Sequence, residues 1–329
     1  MAMTTQILAP QHDITRSHYV TLLRRNAPVI LVYILIIILA LIGTFGSERF
    51  LTERNLFNLV RQIAFLGIVA LGQTLVILTA GIDLSVGSLV KLSLLTSAIL
   101  VDGEPSNIPI AIVGTLALGV LVGVVHAVII TQLGVSPFIV TLGTFSVLRG
   151  ISLTIATGPV GRATPGILRL YDQKVGPVSA LAVFFFILLF LVAAMLRLTT
   201  FGRYIYAIGG NEEVARLSGI NVARVKFGVY ILSGLLASVA GLMWLSRMGV
   251  GDPNAGEGLE LRTITAVIIG GTSLFGGRGS VFGTLGGVIL IELSRNLLNV
   301  MGVNRFFQEL IQGAIIVAAV ALYKQKGRQ

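Results

Sequence analysis

The chain has 329 residues, of which 55% are hydrophobic and only 12% charged, with a mean hydropathy of +0.93. A water-soluble chain carries roughly 25% charged residues, and an apolar excess of this size cannot be hidden in a soluble core, so membrane spans are the units to count. The formal net charge of +10 comes from 24 Lys and Arg residues scattered between apolar segments, without the dense basic run of a nucleic-acid surface, and the lack of cysteine excludes disulfides, thiolate nucleophiles and cysteine metal sites.

Residues 1–26 are polar, include Arg16, Arg24 and Arg25, and read as a cytoplasmic segment ahead of an apolar stretch from Ala27 to Phe45. That stretch is longer than the roughly 7–15 residues of a signal-peptide core and no small-residue cleavage signature follows it, so it reads as an uncleaved first span. Counting it, ten apolar stretches appear, at approximately 27–46, 57–79, 84–101, 108–130, 137–156, 177–196, 227–248, 262–275, 281–298 and 306–323. The expected fold is therefore all-α: a polytopic integral membrane protein of about ten transmembrane helices in one domain, 27–323, with a short tail, 324–329. Several stretches are short or interrupted by Gly, the signature of broken helices inside a bundle.

Alternating the segments between two sides puts twelve Lys and Arg, among them Arg197, Arg203, Arg216, Arg224, Lys226 and Arg278, on the side of the N-terminus, against only Asp13, Glu212 and Glu213. The other side holds most of the acids, including Glu48, Glu53, Asp102, Asp172, Asp252, Glu257 and Glu260. By the positive-inside rule both termini face the cytoplasm. Trp244 near an outer end, and Tyr204, Tyr206 and Tyr323 near inner ends, fit interfacial anchoring.

Two places resemble each other. Ala80-Gly81-Ile82-Asp83-Leu84, followed by Ser85 and Gly87-Ser88, ends the second span, and Gly270-Gly271-Thr272-Ser273-Leu274, followed by Gly279-Ser280, ends the eighth. Matching Gly-rich interruptions in two halves of a membrane protein point to a structural repeat with discontinuous helices around a translocation path. The candidate residues for that path or its helix breaks are Gly81, Asp83, Ser85, Gly87, Gly271 and Ser273. Asp83 has two readings: a carboxylate in the path, or the N-cap of a half-helix starting at Leu84, accepting from Val86 N–H while Gly81 supplies the backbone freedom of the break. The cap reading accounts for more of the surrounding residues.

The longest hydrophilic stretch between spans is 197–226. Asn211 can cap a short helix, Glu212 and Glu213 favour its positive end, and Gly219 with Asn221 can stop it, which predicts a two-turn helix lying across the inner face. So short a helix is marginal in water, and something must dock on it.

Other ionisable residues fall within apolar stretches. Arg61, Arg149 and Glu309 fit snorkelling to an interface, Lys91 and Glu292 are deep enough to need each other or water, and His126 among small residues fits a packing histidine. His12, His18 and His126 have no metal-ligand spacing, and no P-loop occurs, so no catalytic or metal site is expected.

Glu213-Val-Ala215-Arg-Leu-Ser-Gly219 resembles the Glu-Ala-Ala-x-x-x-Gly loop of bacterial ABC-importer permeases, with Val214 in place of the first Ala. Gly202-Arg-Tyr-Ile-Tyr-Ala-Ile-Gly-Gly-Asn211, Leu78-Thr-Ala-Gly-Ile-Asp-Leu-Ser-Val-Gly-Ser88 and Ala266-Val-Ile-Ile-Gly-Gly-Thr-Ser-Leu274 resemble the monosaccharide permeases of ribose, xylose, arabinose and galactose uptake, and the likeness covers roughly residues 55–325. The resemblance implies a permease in the bacterial inner membrane that pairs with a second permease copy, its own or a similar one, among membrane lipid. It also implies a periplasmic sugar-binding protein and a cytoplasmic ABC ATPase that carries the ATP and Mg, with no cofactor on this chain. Asn211, Glu212, Glu213, Ala215 and Gly219 match the coupling helix that seats in the ATPase. One departure is Arg262, where ribose-type members carry Glu-Leu-Asp and this chain reads Glu260-Leu-Arg262, turning an expected outer acid into a base. An ion-coupled secondary transporter is the alternative within transport, and a membrane-embedded enzyme lacks the clustered Asp or His it would need.

Overall fold

The computed structural model describes residues 12–304, 306–308, 310–311 and 313–314, with side chains from Val29 onward. The tail 324–329, Glu309, Tyr323 and most of the tenth expected span, 306–323, lie outside the described residues. In chain order the helices are α1 (His12–Gly46), α2 (Glu53–Leu78), α3 (Val86–Val101), α4 (Ile108–Gln132), α5 (Pro137–Ile155), α6 (Pro165–Asp172), α7 (Ala180–Leu198), α8 (Thr200–Gly210), α9 (Glu212–Leu217), α10 (Val222–Met248), α11 (Leu259–Ile269) and α12 (Val281–Val300). Among the described residues, seven helices are long and apolar enough to cross a membrane: α1, α2, α4 with its preceding turn, α5, α7, α10 and α12. The protein is an all-α, multi-pass membrane protein.

Burial sorts the helices into two layers. Every residue from Ala64 to Leu78, the C-terminal half of α2, is buried, so this half is almost wholly apolar because it is enclosed all round. It is flanked by α10, α12, α11 and the inner face of α7, whereas α1, α4, α5 and the outer face of α7 leave broad apolar surfaces exposed on the outside of the bundle. Small residues permit the closest crossing: side chains at Gly119 and Gly123 of α4, or at Gly234 of α10, would strike the backbone of the opposite helix. Hydroxyl and amide pairs hold the interior without charge, Thr74 to Thr284 at 2.8 Å, Ser93 to Ser238 at 3.0 Å, and Asn296 Nδ2 to Asn55 Oδ1 at 2.8 Å.

Three expected elements differ. The helix of the first span starts at His12 and continues without a break to Gly46; its 35 residues reach about 52 Å at 1.5 Å per residue, beyond a hydrocarbon core of roughly 30 Å. The eighth expected span, 262–275, contains only α11, 11 residues ending at Ile269, because Gly270 and Gly271, the latter at φ +89°, turn the chain before the apolar residues run out. The outer segment before α7 is not plain loop: Thr164 caps α6, accepting from Ile167 N–H at 3.2 Å, and a two-strand hairpin pairs Lys174 with Ser179.

The connections gather at two ends. At one, the 156–164 segment joins the segments after α3 and α10, through Gly103 N–H to Arg162 O, Val160 paired with Gly251, and Ala163 N–H to Gly249 O, all at 2.8 Å. At the other, the α2–α3, α7–α10 and α11–α12 connections meet.

Candidate functional site

At this second end α8 and α9 stand on local capping chemistry. Thr199 Oγ1 accepts from Gly202 N–H at 3.1 Å to start α8, and Asn211 Oδ1 accepts from Val214 N–H at 3.0 Å to start α9. Gly219, at φ +84°, ends α9 in a left-handed turn in which Ile220 N–H reaches Ala215 O at 3.1 Å and Gly219 N–H reaches Arg216 O at 3.0 Å. Asn221 then caps α10, accepting from Arg224 N–H at 3.0 Å. The short helix expected between Asn211 and Gly219 is present. Six residues cannot hold themselves in a helix, and two tertiary ties supply the rest, burial of Ala215 and the bridge from Glu212 to Lys226 of α10 at 2.7 Å, beside the local Glu212–Arg216 pair at 3.2 Å. Glu213, Val214 and Leu217 face outward, and Leu217 is 82% exposed.

The two Gly-rich breaks touch. Gly277 N–H donates to Leu78 O at 3.0 Å, so the turn after α11 caps the end of α2. Gly209 of α8 lies against both, since a side chain there would overlap Leu78 O and Gly277 N, and Tyr206 O–H donates to Gly279 O at 3.0 Å. Ser273 closes the second break: its N–H donates to Arg278 O at 2.8 Å and its Oγ accepts from Phe275 N–H at 3.2 Å.

In the first break the irregular residues Gly81–Leu84 have backbone groups paired by two different helices, α2 and α5, as irregular backbone within a membrane requires. Thr141 of α5 donates to Ile82 O at 3.0 Å. The carboxamide of buried Gln73 on α2, in the orientation that satisfies its neighbours, donates to Asp83 O at 3.0 Å and accepts from Asp83 N–H at 3.2 Å. The Asp83 side chain, 2% exposed, is a turn brace. Its Oδ1 accepts from Ser85 N–H at 2.9 Å and Ser85 O–H at 2.7 Å, and its Oδ2 from Ser233 O–H of α10 at 3.2 Å.

This corrects the expected cap in two respects. The helix begins at Val86 with Ser85 in the cap position, so Asp83 lies two residues ahead of the cap and braces Ser85 N–H instead of Val86 N–H. The left-handed residue of the break is Ala80, at φ +60°, not Gly81; Gly81 provides room, because a methyl there would come 2.7 Å from Tyr230 Oη. Gly87 likewise makes room for the Glu260 carboxylate.

The remaining ionisable residues rearrange several expectations. Glu292 does not pair with Lys91; its carboxylate lies 3.8 Å from Arg262 and 3.6 Å from Arg295. Arg262 is therefore turned inward from α11 toward α12, and its base answers Glu292 inside the bundle. Lys91 lies with Ser88, Phe145, Arg149, Glu257 and Glu260 around a cleft toward the opposite end. Arg61 reaches from α2 to the exposed segment before α7, its guanidinium 4.2 Å from the centre of the Tyr171 ring and 3.1 Å from the exposed Asp172, while its own side chain stays buried. Arg149 stays half-exposed, 3.9 Å from Glu257. His126 is buried edge-on to Tyr230, ring centres 5.9 Å apart, in keeping with a packing role. Trp244 packs across Phe65 at 6.4 Å and is not a lipid-facing anchor.

The sequence-family profile described as "Branched-chain amino acid transport system / permease component" matches residues 55–320. The ribose import permease proteins RbsC of Escherichia coli and Bacillus subtilis are each 40% identical to the chain, over 89% and 96% of it and 92% and 98% of those proteins. The D-allose transport system permease protein AlsC of Escherichia coli is 35% identical, over 88% of this chain and 89% of its own length. No solved structure matches the chain. With the profile across most of its length and named sugar permeases aligned nearly end to end, the chain belongs to this family of transport-system permeases.

Proposed function

We propose that the chain forms the membrane path for a monosaccharide in an ATP-driven importer of a bacterial inner membrane. Its relatives named for ribose and D-allose support the substrate class, and the basic excess of the α8–α9 end supports a cytoplasmic placement of that end and of both termini. A cytoplasmic ABC ATPase binds the ATP and Mg, and this chain binds no cofactor and catalyses no reaction. A periplasmic sugar-binding protein delivers the solute to the opposite end, where Ser88, Lys91, Phe145 and Glu260 line a narrow polar cleft. A second permease copy, identical in the simplest assembly, covers part of the exposed apolar helix faces.

The observation that carries this reading is α9 itself: a capped helix with Val214 and Leu217 exposed, tied to α10 through Glu212 and Lys226 and, through α8, to both helix breaks. A solvent-facing helix with outward leucine and valine and inward ties is built to receive a partner and pass its motion on. An ion-coupled carrier would need no such element, and no relative named above favours that alternative.

Glu213→Lys and Leu217→Asp test it. Each is expected to insert normally, lose co-purifying ATPase and lose uptake of labelled ribose or allose at matched membrane level. Wild-type association and uptake in both variants would refute α9 as the coupling element.

A further inference from the structure

The turn between α11 and α12 has no role in the reading above beyond capping α2, yet it presents an aromatic side chain outward. Phe275 is 81% exposed, among the most exposed large apolar side chains of the described residues, and Arg278 beside it is also exposed. The turn is rigidly built: Ser273 N–H to Arg278 O at 2.8 Å, Gly276 N–H to Ser273 O at 3.0 Å and Gly277 N–H to Leu78 O at 3.0 Å hold the tip. Gly276 and Gly277 rest on the backbone of Gly209 and Gly210, the residues immediately before the Asn211 cap of α9. The turn and α9 thus rise from one base, and three exposed apolar side chains, Val214, Leu217 and Phe275, share a surface with the exposed bases Arg203, Arg216 and Arg278.

We propose that Phe275 and Arg278 form a second anchor for the same ATPase that receives α9. The occupant follows from chemistry and continuity. Apolar side chains ringed by bases fit an apolar groove with an acidic rim, and a large aromatic fixed on an ordered backbone loses little freedom on binding, the property of interface hot spots. Lipid is the poorer occupant, because the tip is a turn of five glycyl and polar residues, Ser273, Gly276, Gly277, Arg278 and Gly279, whose backbone suits water or protein better than hydrocarbon. The proposal rests on the coupling reading of α9 and adds a contact point some sixty residues further along the chain, one that bears directly on both helix breaks.

The chain contains no cysteine, so Phe275→Cys and Leu217→Cys each introduce a single thiol into an otherwise thiol-free permease. Inside-out vesicles carrying the whole transporter are treated with a membrane-impermeant maleimide before and after the ATPase is stripped with urea, and labelling of the permease band is timed. The expected result is about tenfold slower labelling at both positions while the ATPase is seated, as for side chains in a water-excluding contact, with fast labelling once it is removed. Fast labelling of Phe275→Cys in both states, with Leu217→Cys protected, overturns the second anchor and leaves the α9 reading standing. Slow labelling of Phe275→Cys in both states means that lipid or a second permease covers the turn, and also overturns it. Absence of protection at both positions sinks both readings together. Phe275→Asp serves as the second measure and is expected to weaken ATPase co-purification about tenfold; undiminished co-purification counts against the anchor.

Discussion

Asp83 offers a test of what a buried carboxylate does in a helix break. Its two oxygens accept from three donors, Ser85 N–H, Ser85 O–H and Ser233 O–H, all within the buried interior. Asp83→Ala removes every acceptor. The two hydroxyls can rotate toward other oxygens, but the backbone N–H of Ser85 cannot, so between one and three buried donors are orphaned. At about 1–3 kcal/mol for each, the loss runs from about 1–3 kcal/mol if only the Ser85 N–H is orphaned to about 9 kcal/mol if all three donors are, borne by the segment that joins α2 to α3 and links both to α10. Asp83→Asn keeps one carbonyl oxygen for the two Ser85 bonds and turns its amide toward Ser233 Oγ, which can accept as well as donate. Its cost should stay near 1 kcal/mol, the worth of one ordinary hydrogen bond.

The assay is monosaccharide uptake at matched membrane level, with thermal stability of the detergent-purified permease as the structural control. The Asn variant is expected to retain most uptake and melt close to wild type, and the Ala variant to lose both. An Asn variant that inserts, melts normally and transports nothing would refute the brace and assign the charge itself to transport. An Ala variant with unchanged stability and uptake would refute the hydrogen-bond accounting from the other side.

Two further outcomes follow from close contacts. Gly209→Ala would drive a methyl into Leu78 O and Gly277 N; it is expected to leave ATPase association near wild type and abolish uptake, and unimpaired uptake would disconnect α8 from the breaks. Arg262→Asp would set a second carboxylate against buried Glu292; it should destabilise the fold by about 3 kcal/mol or more, with recovery in the double variant carrying Glu292→Gln. Additive melting shifts in that double-mutant cycle would mean the two residues do not interact.

What could be read from the sequence was what is local. Asn211 and Gly219 start and stop α9 within four residues of themselves, as their chemistry predicts, whereas Asn221, expected to help stop α9, caps α10 instead. The long apolar helices were legible for the same reason. Helix α8 was missed although its signal was there: Thr199 is a cap, and Gly202, Ile205 and Ile208 recur on one buried face, but the polar flanks of the segment read as loop. The partners of Asp83 could not be found by local reasoning, because Gln73 lies ten residues back and Ser233 on another helix, 150 residues away. Arg262 misled for a related reason. A base near an expected outer end looks like surface chemistry until α12 brings Glu292 beneath it.

The placement of the two breaks bears on how a push on α9 could reach the path. Irregular backbone in a membrane persists only where other segments satisfy its polar groups, and here the partners come from α2, α5, α8 and the α11–α12 turn, with α10 holding the Asp83 side chain. Each break is therefore a junction of several helices, and one helix cannot shift without exchanging hydrogen bonds at the junction. Among the described residues, α8 meets both breaks at once, through Gly209 at Leu78 and Gly277 and through Tyr206 at Gly279. The Gly209 contact is backbone to backbone, with no rotatable side chain to absorb a displacement. Because α9 follows α8 after the single residue Asn211, and is tied to α10 through Lys226, a movement of α9 is delivered to the first break along two routes, by α8 from one side and by Ser233 of α10 from the other. Coupling by this geometry needs no long relay, only a rigid α8, which is why the smallest substitution at Gly209 is expected to matter more than large ones on the exposed faces of the same helix.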